Sequence, residues 1–310
     1  MMDMGSGSYL GFDGGLYGGG SNTASVAHGS VGTTRARAIV PLDSNGNPSP
    51  SGKIVLISIG FSNATDEWCA SGGFPPCVAG TFTADALGDS SVNHTTLTIV
   101  NGAFSGQATP NWDSPTQSNY DRVLSTVLAP AGLTERQVQI AWFKCADVSP
   151  SVALPAANAD YYTLRLEIAK SMRAMKTRYP NLSMLFLSSR TYAGYASTTL
   201  NPEPYAYQGG FAVRSVIQAQ AAQEASGVAD ATLGDLNPQT ASAWLAWGAY
   251  LWTNGPTGRS DGYAVNAADF QSDGTHPSGS GIQKVGTLLL QFFKTSPYTR
   301  CWFLAQGGSC

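Results

Sequence analysis

The chain has 310 residues, 43% of them hydrophobic, and a net charge of −3. That is apolar material for one large α/β domain or two small ones. Charged residues make up only 12%, about half the usual share, and no Lys/Arg run occurs, which argues against a nucleic-acid or acidic-membrane partner. No apolar run approaches the ~20 residues of a membrane-spanning helix.

In chain order, residues 1–50 are rich in Gly, Ser and Asn, with turn signals at Asn45-Gly46 and Asn47-Pro48. They read as an irregular N-terminal segment packed on a single domain over residues 51–310. The opening MMDMGSGSYLGF lacks the basic start and apolar centre of a secretory leader, so any leader is expected to have been removed. The first strand is expected at Lys53–Ile59 (KIVLISI), a continuous β-branched run of the kind buried in parallel sheets. Further strands are expected at Thr95–Val100, Val138–Phe143 and Ser183–Leu187, and a weaker one near Trp247–Trp252. Helices are expected between them. Ala159–Tyr179 spaces Leu164, Ile168, Met172 and Met175 three and four apart, with Pro180 following. Phe211–Ala225 and 281–294 read as helices too. This alternation predicts an α/β fold, a parallel sheet of about five strands covered on both faces. Ligands of such sheets bind beyond the carboxyl ends of the strands.

Five cysteines stand at 69, 77, 145, 301 and 310. Cys69 with Cys77, and Cys301 with Cys310, read as disulfides that staple loose segments, which implies an oxidising, secreted or periplasmic setting. Cys145 ends an apolar run and reads as a buried thiol. With no CxxC and three histidines, no metal site is expected.

The first strand runs directly into Gly60-Phe61-Ser62-Asn63, which would expose the Ser62 hydroxyl at the strand tip. The second runs into Asn101-Gly102-Ala103-Phe104-Ser105-Gly106-Gln107, where glycines let a backbone N–H face the space beside Ser62. The most specific signal is Asp273-Gly274-Thr275-His276-Pro277. A carboxylate three residues before a histidine can curl back onto its Nδ1, fixing the tautomer and stabilising the imidazolium. His94 stands at the amino end of a strand, and His28 lies in the N-terminal segment.

Together these motifs resemble the SGNH hydrolases, the GDSL-like esterase superfamily, over roughly residues 53–295. The resemblance implies a flavodoxin-like α/β/α sandwich. It also implies Ser62 as nucleophile, His276 as base, Asp273 as its orienter, and the amides of Gly106 and Ser62 as oxyanion donors. Two departures stand out. The family's Gly-Asp-Ser reads Gly60-Phe61-Ser62, and its third-block Asn falls at Ala146. Asn63 is the expected substitute donor. A literal Gly88-Asp89-Ser90 is read as a decoy, because no buried strand precedes it.

The implied activity is that of a secreted serine esterase needing no cofactor, with a small-molecule or polysaccharide ester, an acetyl ester for example, as substrate. Trp68, Ser188, Arg190 and Tyr192 are the expected substrate contacts, with Arg190 equally readable as an ion-pair partner, and the Cys69–Cys77 loop is expected to border the pocket. Two other readings compete. One is an α/β-hydrolase, whose nucleophile elbow also carries a Gly-x-Ser pattern. The other is a non-catalytic carbohydrate-binding relative, which would use Trp68, Tyr192, Tyr195, Tyr205, Tyr207 and Trp244 as exposed aromatics.

Overall fold

The structure, a computed structural model, describes residues 1–70 and 72–310. The chain enters through a short hairpin, β1 (Ser8–Tyr9) with β2 (Phe12–Asp13), and a helix, α1 (Val26–Arg37). Five strands then form one parallel sheet: β3 (Ile54–Gly60), β4 (Leu97–Asn101), β5 (Val138–Lys144), β6 (Met184–Ser188) and β7 (Trp244–Trp247). The order across the sheet is β4-β3-β5-β6-β7. The chain therefore starts in the interior of the sheet, steps to one edge, and returns to build the other side. This is the doubly wound, flavodoxin-like order, and its switch point lies at β3.

Successive strand residues point to opposite faces, and here both faces are buried. Val55, Ile57 and Ile59 pack with Val100, Leu185 and Leu245 beneath α5 (Asp160–Arg178) and α6 (Tyr205–Ser226), whose Leu164, Ile168, Phe211 and Val216 close that core. Ile54 and Leu56 face the other way, with Trp142, Phe186 and Trp244. That side is covered by α1, α2 (Ser62–Trp68), α3 (Phe82–Gly88), α7 (Gly279–Thr295) and α8 (Arg300–Phe303). A short α4 (Ser118–Arg122) runs into a π turn over Val123–Leu128.

The N-terminal segment departs from expectation, since α1 is a regular helix. Ser25 caps it by accepting from the His28 amide. His28 is buried, with Nδ1 2.6 Å from Glu224 Oε2 and Nε2 2.8 Å from the Leu245 carbonyl. The last strand is β7 at Trp244–Trp247, earlier than the expected 247–252. All of 243–251 is buried, so hydrophobicity alone did not fix the register. Helix α6 begins at Tyr205, six residues before the expected Phe211. Both disulfides form, Cys69–Cys77 and Cys301–Cys310. Cys145 is a buried thiol whose pKa burial pushes up to about 12. Among the described residues no helix is long and apolar enough to cross a membrane.

Candidate active site

Strand β3 can end where it does only because residue 60 is glycine: a Cβ there would lie 2.0 Å from the Lys144 carbonyl oxygen of β5. The Gly60 carbonyl then accepts from the Phe104 amide at 3.0 Å, which ties the β4 loop beside it. Phe61 is extended and Ser62 opens α2, so the hydroxyl stands at the sheet's switch point.

From the far end of the chain, the loop before α7 brings in the other two groups. Ser62 Oγ lies 2.9 Å from His276 Nε2, and His276 Nδ1 lies 2.6 Å from Asp273 Oδ2. The second Asp273 oxygen accepts from the amides of Thr275 at 2.9 Å and His276 at 3.0 Å. This curl depends on Gly274, which has φ +63° and packs so closely on Tyr195 that a Cβ would sit 1.9 Å from its carbonyl oxygen. Burial alone would raise the Asp273 carboxyl. The hydrogen bonds from the His276 ring and from the two amides outweigh it and hold the pKa below the ordinary carboxylate value. A hydroxyl, an imidazole and a carboxylate in this chain can pass the hydroxyl proton to the ring while the carboxylate stabilises the cation formed.

A cavity of about 450 Å³ opens at Ser62 and His276. The tips of four strands build its wall: Phe61 after β3, Gly106 to Ala108 after β4, Ala146 to Val148 after β5, and Arg190 after β6, with Leu200, Asn201 and Thr275 completing it. Gly106 stands there at φ +78°, and Ala146 lines the position where the family's Asn is expected. Asp66, one helical turn beyond Ser62, also lines the cavity, and burial raises its carboxyl pKa. Below the site, Lys144 donates to both oxygens of Glu67, at 2.5 and 2.6 Å, with both side chains fully buried.

Several expected contacts are corrected. Asn63 lines the cavity, and one N–H of its Nδ2 donates to the Thr275 carbonyl at 2.9 Å, so it also braces the histidine loop. Trp68 is 0% exposed, stacked on Trp142, with its indole N–H on the Val100 carbonyl. It sits one turn after Ala64 on the inward face of α2 and is core. Trp244 is equally buried, against the aromatic reading made for it. Ser188 accepts from the Trp142 indole and donates to the Ala249 carbonyl, an internal tie. Tyr192 packs against Tyr195 and Trp252 and is not a lining residue of the cavity. None of the described residues of the Cys69–Cys77 loop lines the cavity either. Its Gly73 packs on Val127 and accepts from the Asn101 amide. Arg190 does line the cavity, and no ion pair forms to it among the described residues.

Sequence reasoning missed Asp66, Asp147 and Asn201. Asp66 was readable in principle, four residues after Ser62 on a short helix. Asn201 lies in a loop at φ +59° with no motif around it. The decoy Asp89-Ser90 stands away from the cavity, where Asp89 pairs with Lys294.

Neither a family model nor a curated protein matches this chain. Solved structures do. A GDSL-like lipase from Bacteroides thetaiotaomicron is 12% identical, covering 86% of this chain and 96% of its own, with a TM-score of 0.41. A carbohydrate esterase family 3 protein from Talaromyces cellulolyticus is 10% identical, with coverages of 77% and 95% and a TM-score of 0.41. A carbohydrate esterase family 2 enzyme from Corynascus thermopiles is 14% identical, with coverages of 79% and 67% and a TM-score of 0.42.

Proposed function

We propose that the protein is an SGNH-type serine esterase that cleaves carboxylic esters through an acyl-enzyme. The observation that carries the reading is the unbroken chain Ser62–His276–Asp273 at the mouth of a cavity. In the first step His276 takes the Ser62 proton as the oxygen attacks the ester carbonyl, and then returns it to the leaving alcohol. In the second, His276 activates a water that releases the acid. Asp273 holds the ring and does not itself become protonated. The amides of Ser62 and Gly106 are the oxyanion donors in this reading. Ala146 supplies no side-chain donor, and a missing donor typically costs ~10²–10³ in rate rather than all activity.

The two disulfides support an extracellular setting. Apolar walls from Phe61, Ala108, Val148 and Leu200 suit an acyl group. The half-buried Tyr195, against which Gly274 of the histidine loop packs, suits a longer alcohol part such as a polysaccharide chain. A fluorophosphonate probe tests the reading: it is expected to label Ser62 in the folded protein and to leave Ser62→Ala unlabelled. Absence of labelling in the folded wild type refutes the esterase assignment.

A further inference from the structure

We propose that Arg190 binds a carboxylate carried by the ester that Ser62 attacks, so that the substrate class is an anionic ester; this rests on the esterase reading of the same site. Arg190 is 2% exposed and lines the cavity. Its Nη2 donates to the Leu200 carbonyl at 3.3 Å, while Nε and Nη1 have no partner. The Phe61 ring centroid lies 5.3 Å from the guanidinium carbon.

Glu67, Glu203 and Asp273, the carboxylates whose charge partly compensates Arg190, are hydrogen-bonded to other donors. Glu67 is held by Lys144 through both oxygens. Asp273 is held by His276 and two amides. Glu203 accepts from the Ala193 and Tyr207 amides and from the Trp252 indole. A desolvated cation with two unused donors is costly. Burial accordingly pushes the Arg190 pKa down to about 10. An entering carboxylate would add a directly bonded counter-charge to the longer-range compensation from Glu67, Glu203 and Asp273.

The other charged groups of the wall restrict where that anion sits. Asp66 and Asp147 line the same cavity. Burial and an interaction with Asp147 push Glu167 up to about 9, so the Asp147–Glu167 pair carries at most one negative charge at neutral pH. Those walls present carboxyls, whereas Arg190 presents a cation, so a carboxylate seated at Arg190 orients the ester as well as selecting it.

Two matched pairs of esters test this and separate an acyl-borne from an alcohol-borne carboxylate. The first is 4-nitrophenyl hydrogen adipate against 4-nitrophenyl hexanoate. The second is 4-acetoxybenzoate against methyl 4-acetoxybenzoate. The expected result is kcat/KM at least about tenfold higher for the carboxylate member of one pair, ~1.4 kcal/mol, expressed mainly in KM. Arg190→Gln is expected to bring that ratio to about one, and Arg190→Lys to retain part of it. A wild-type ratio of one or less in both pairs, with the neutral esters turned over, overturns the inference and leaves the esterase reading intact. So does an Arg190→Gln protein whose kcat falls equally on both members, since that marks an oxyanion or structural role. If Arg190→Gln fails to fold, the wild-type ratio and Arg190→Lys decide. No turnover of any ester together with no fluorophosphonate labelling refutes the esterase reading, and the inference with it.

Discussion

Asn63 and Asp273 shape the site through what they hold. Asn63 stands next to the nucleophile, yet its amide reaches across to the Thr275 carbonyl and joins the start of α2 to the histidine loop. Asn63→Leu removes that tie at similar volume. The expected outcome is a roughly tenfold fall in kcat with a smaller change in KM, because the base is less well held while the cavity wall is kept. Unchanged steady-state kinetics would show that the loop is held without Asn63. Of the site, the Asp-x-x-His pair was the part most open to reading from sequence, since three-residue spacing lets one carboxylate reach both the ring and the local amides. Ser62 was readable from its place after the first strand. Trp68 and Ser188 were misread because sequence position places a residue near a strand tip without saying which way its side chain points. The cavity contacts Asp147 and Asn201 arise from loops that only the tertiary fold brings together.

At the scale of elements, β-branched runs identified four strands to within two residues, while α1 went unseen. The cause is visible in its sequence, VAHGSVGTTRAR, which has few strong helix formers and no apolar stripe. What holds it is contact: His28 is bonded at both ring nitrogens, its carbonyl accepts from the Trp244 indole, and Gly32 lies against the Trp244 ring. Gly32→Ala separates propensity from packing. In an open helix the change gains ~1 kcal/mol. Here the new Cβ would meet the Trp244 ring at 2.2 Å, and forcing a methyl into a filled core costs about 1–3 kcal/mol. The packing cost matches or exceeds the gain, so urea unfolding is expected to show net destabilisation of up to about 2 kcal/mol. A stabilised variant would mean that α1 does not press on the sheet as described.

For the molecule as a whole, the buried and the paired carboxyls oppose one another in pH dependence. Asp89, beside the decoy Ser90, is bonded to Lys294 at 2.5 Å and to the Ser91 amide and hydroxyl, and these hold its pKa down to about 2. It thereby ties the end of α3 to α7. Its folded value lies below the ~3.9 of an unfolded aspartate, so its contribution is complete above about pH 4 and is lost as pH falls toward 2. Asp13, Asp269 and Asp273 are lowered as well and act in the same direction. Glu167 is the reverse case. Burial and Asp147 raise it to about 9, so the folded chain keeps a proton that the unfolded chain releases above ~4.3. Stability tied to Glu167 therefore declines as pH rises from about 5 to 9. The two effects together give a maximum on the mildly acidic side, measurable as the urea midpoint between pH 3 and 9. Asp89→Asn is expected to lower the midpoint at pH 6 and to converge on wild type near pH 2, flattening the acid limb. Glu167→Gln is expected to flatten the alkaline limb instead. If the midpoint of wild type rises steadily to pH 9, the raised Glu167 carboxyl is not a feature of the folded protein.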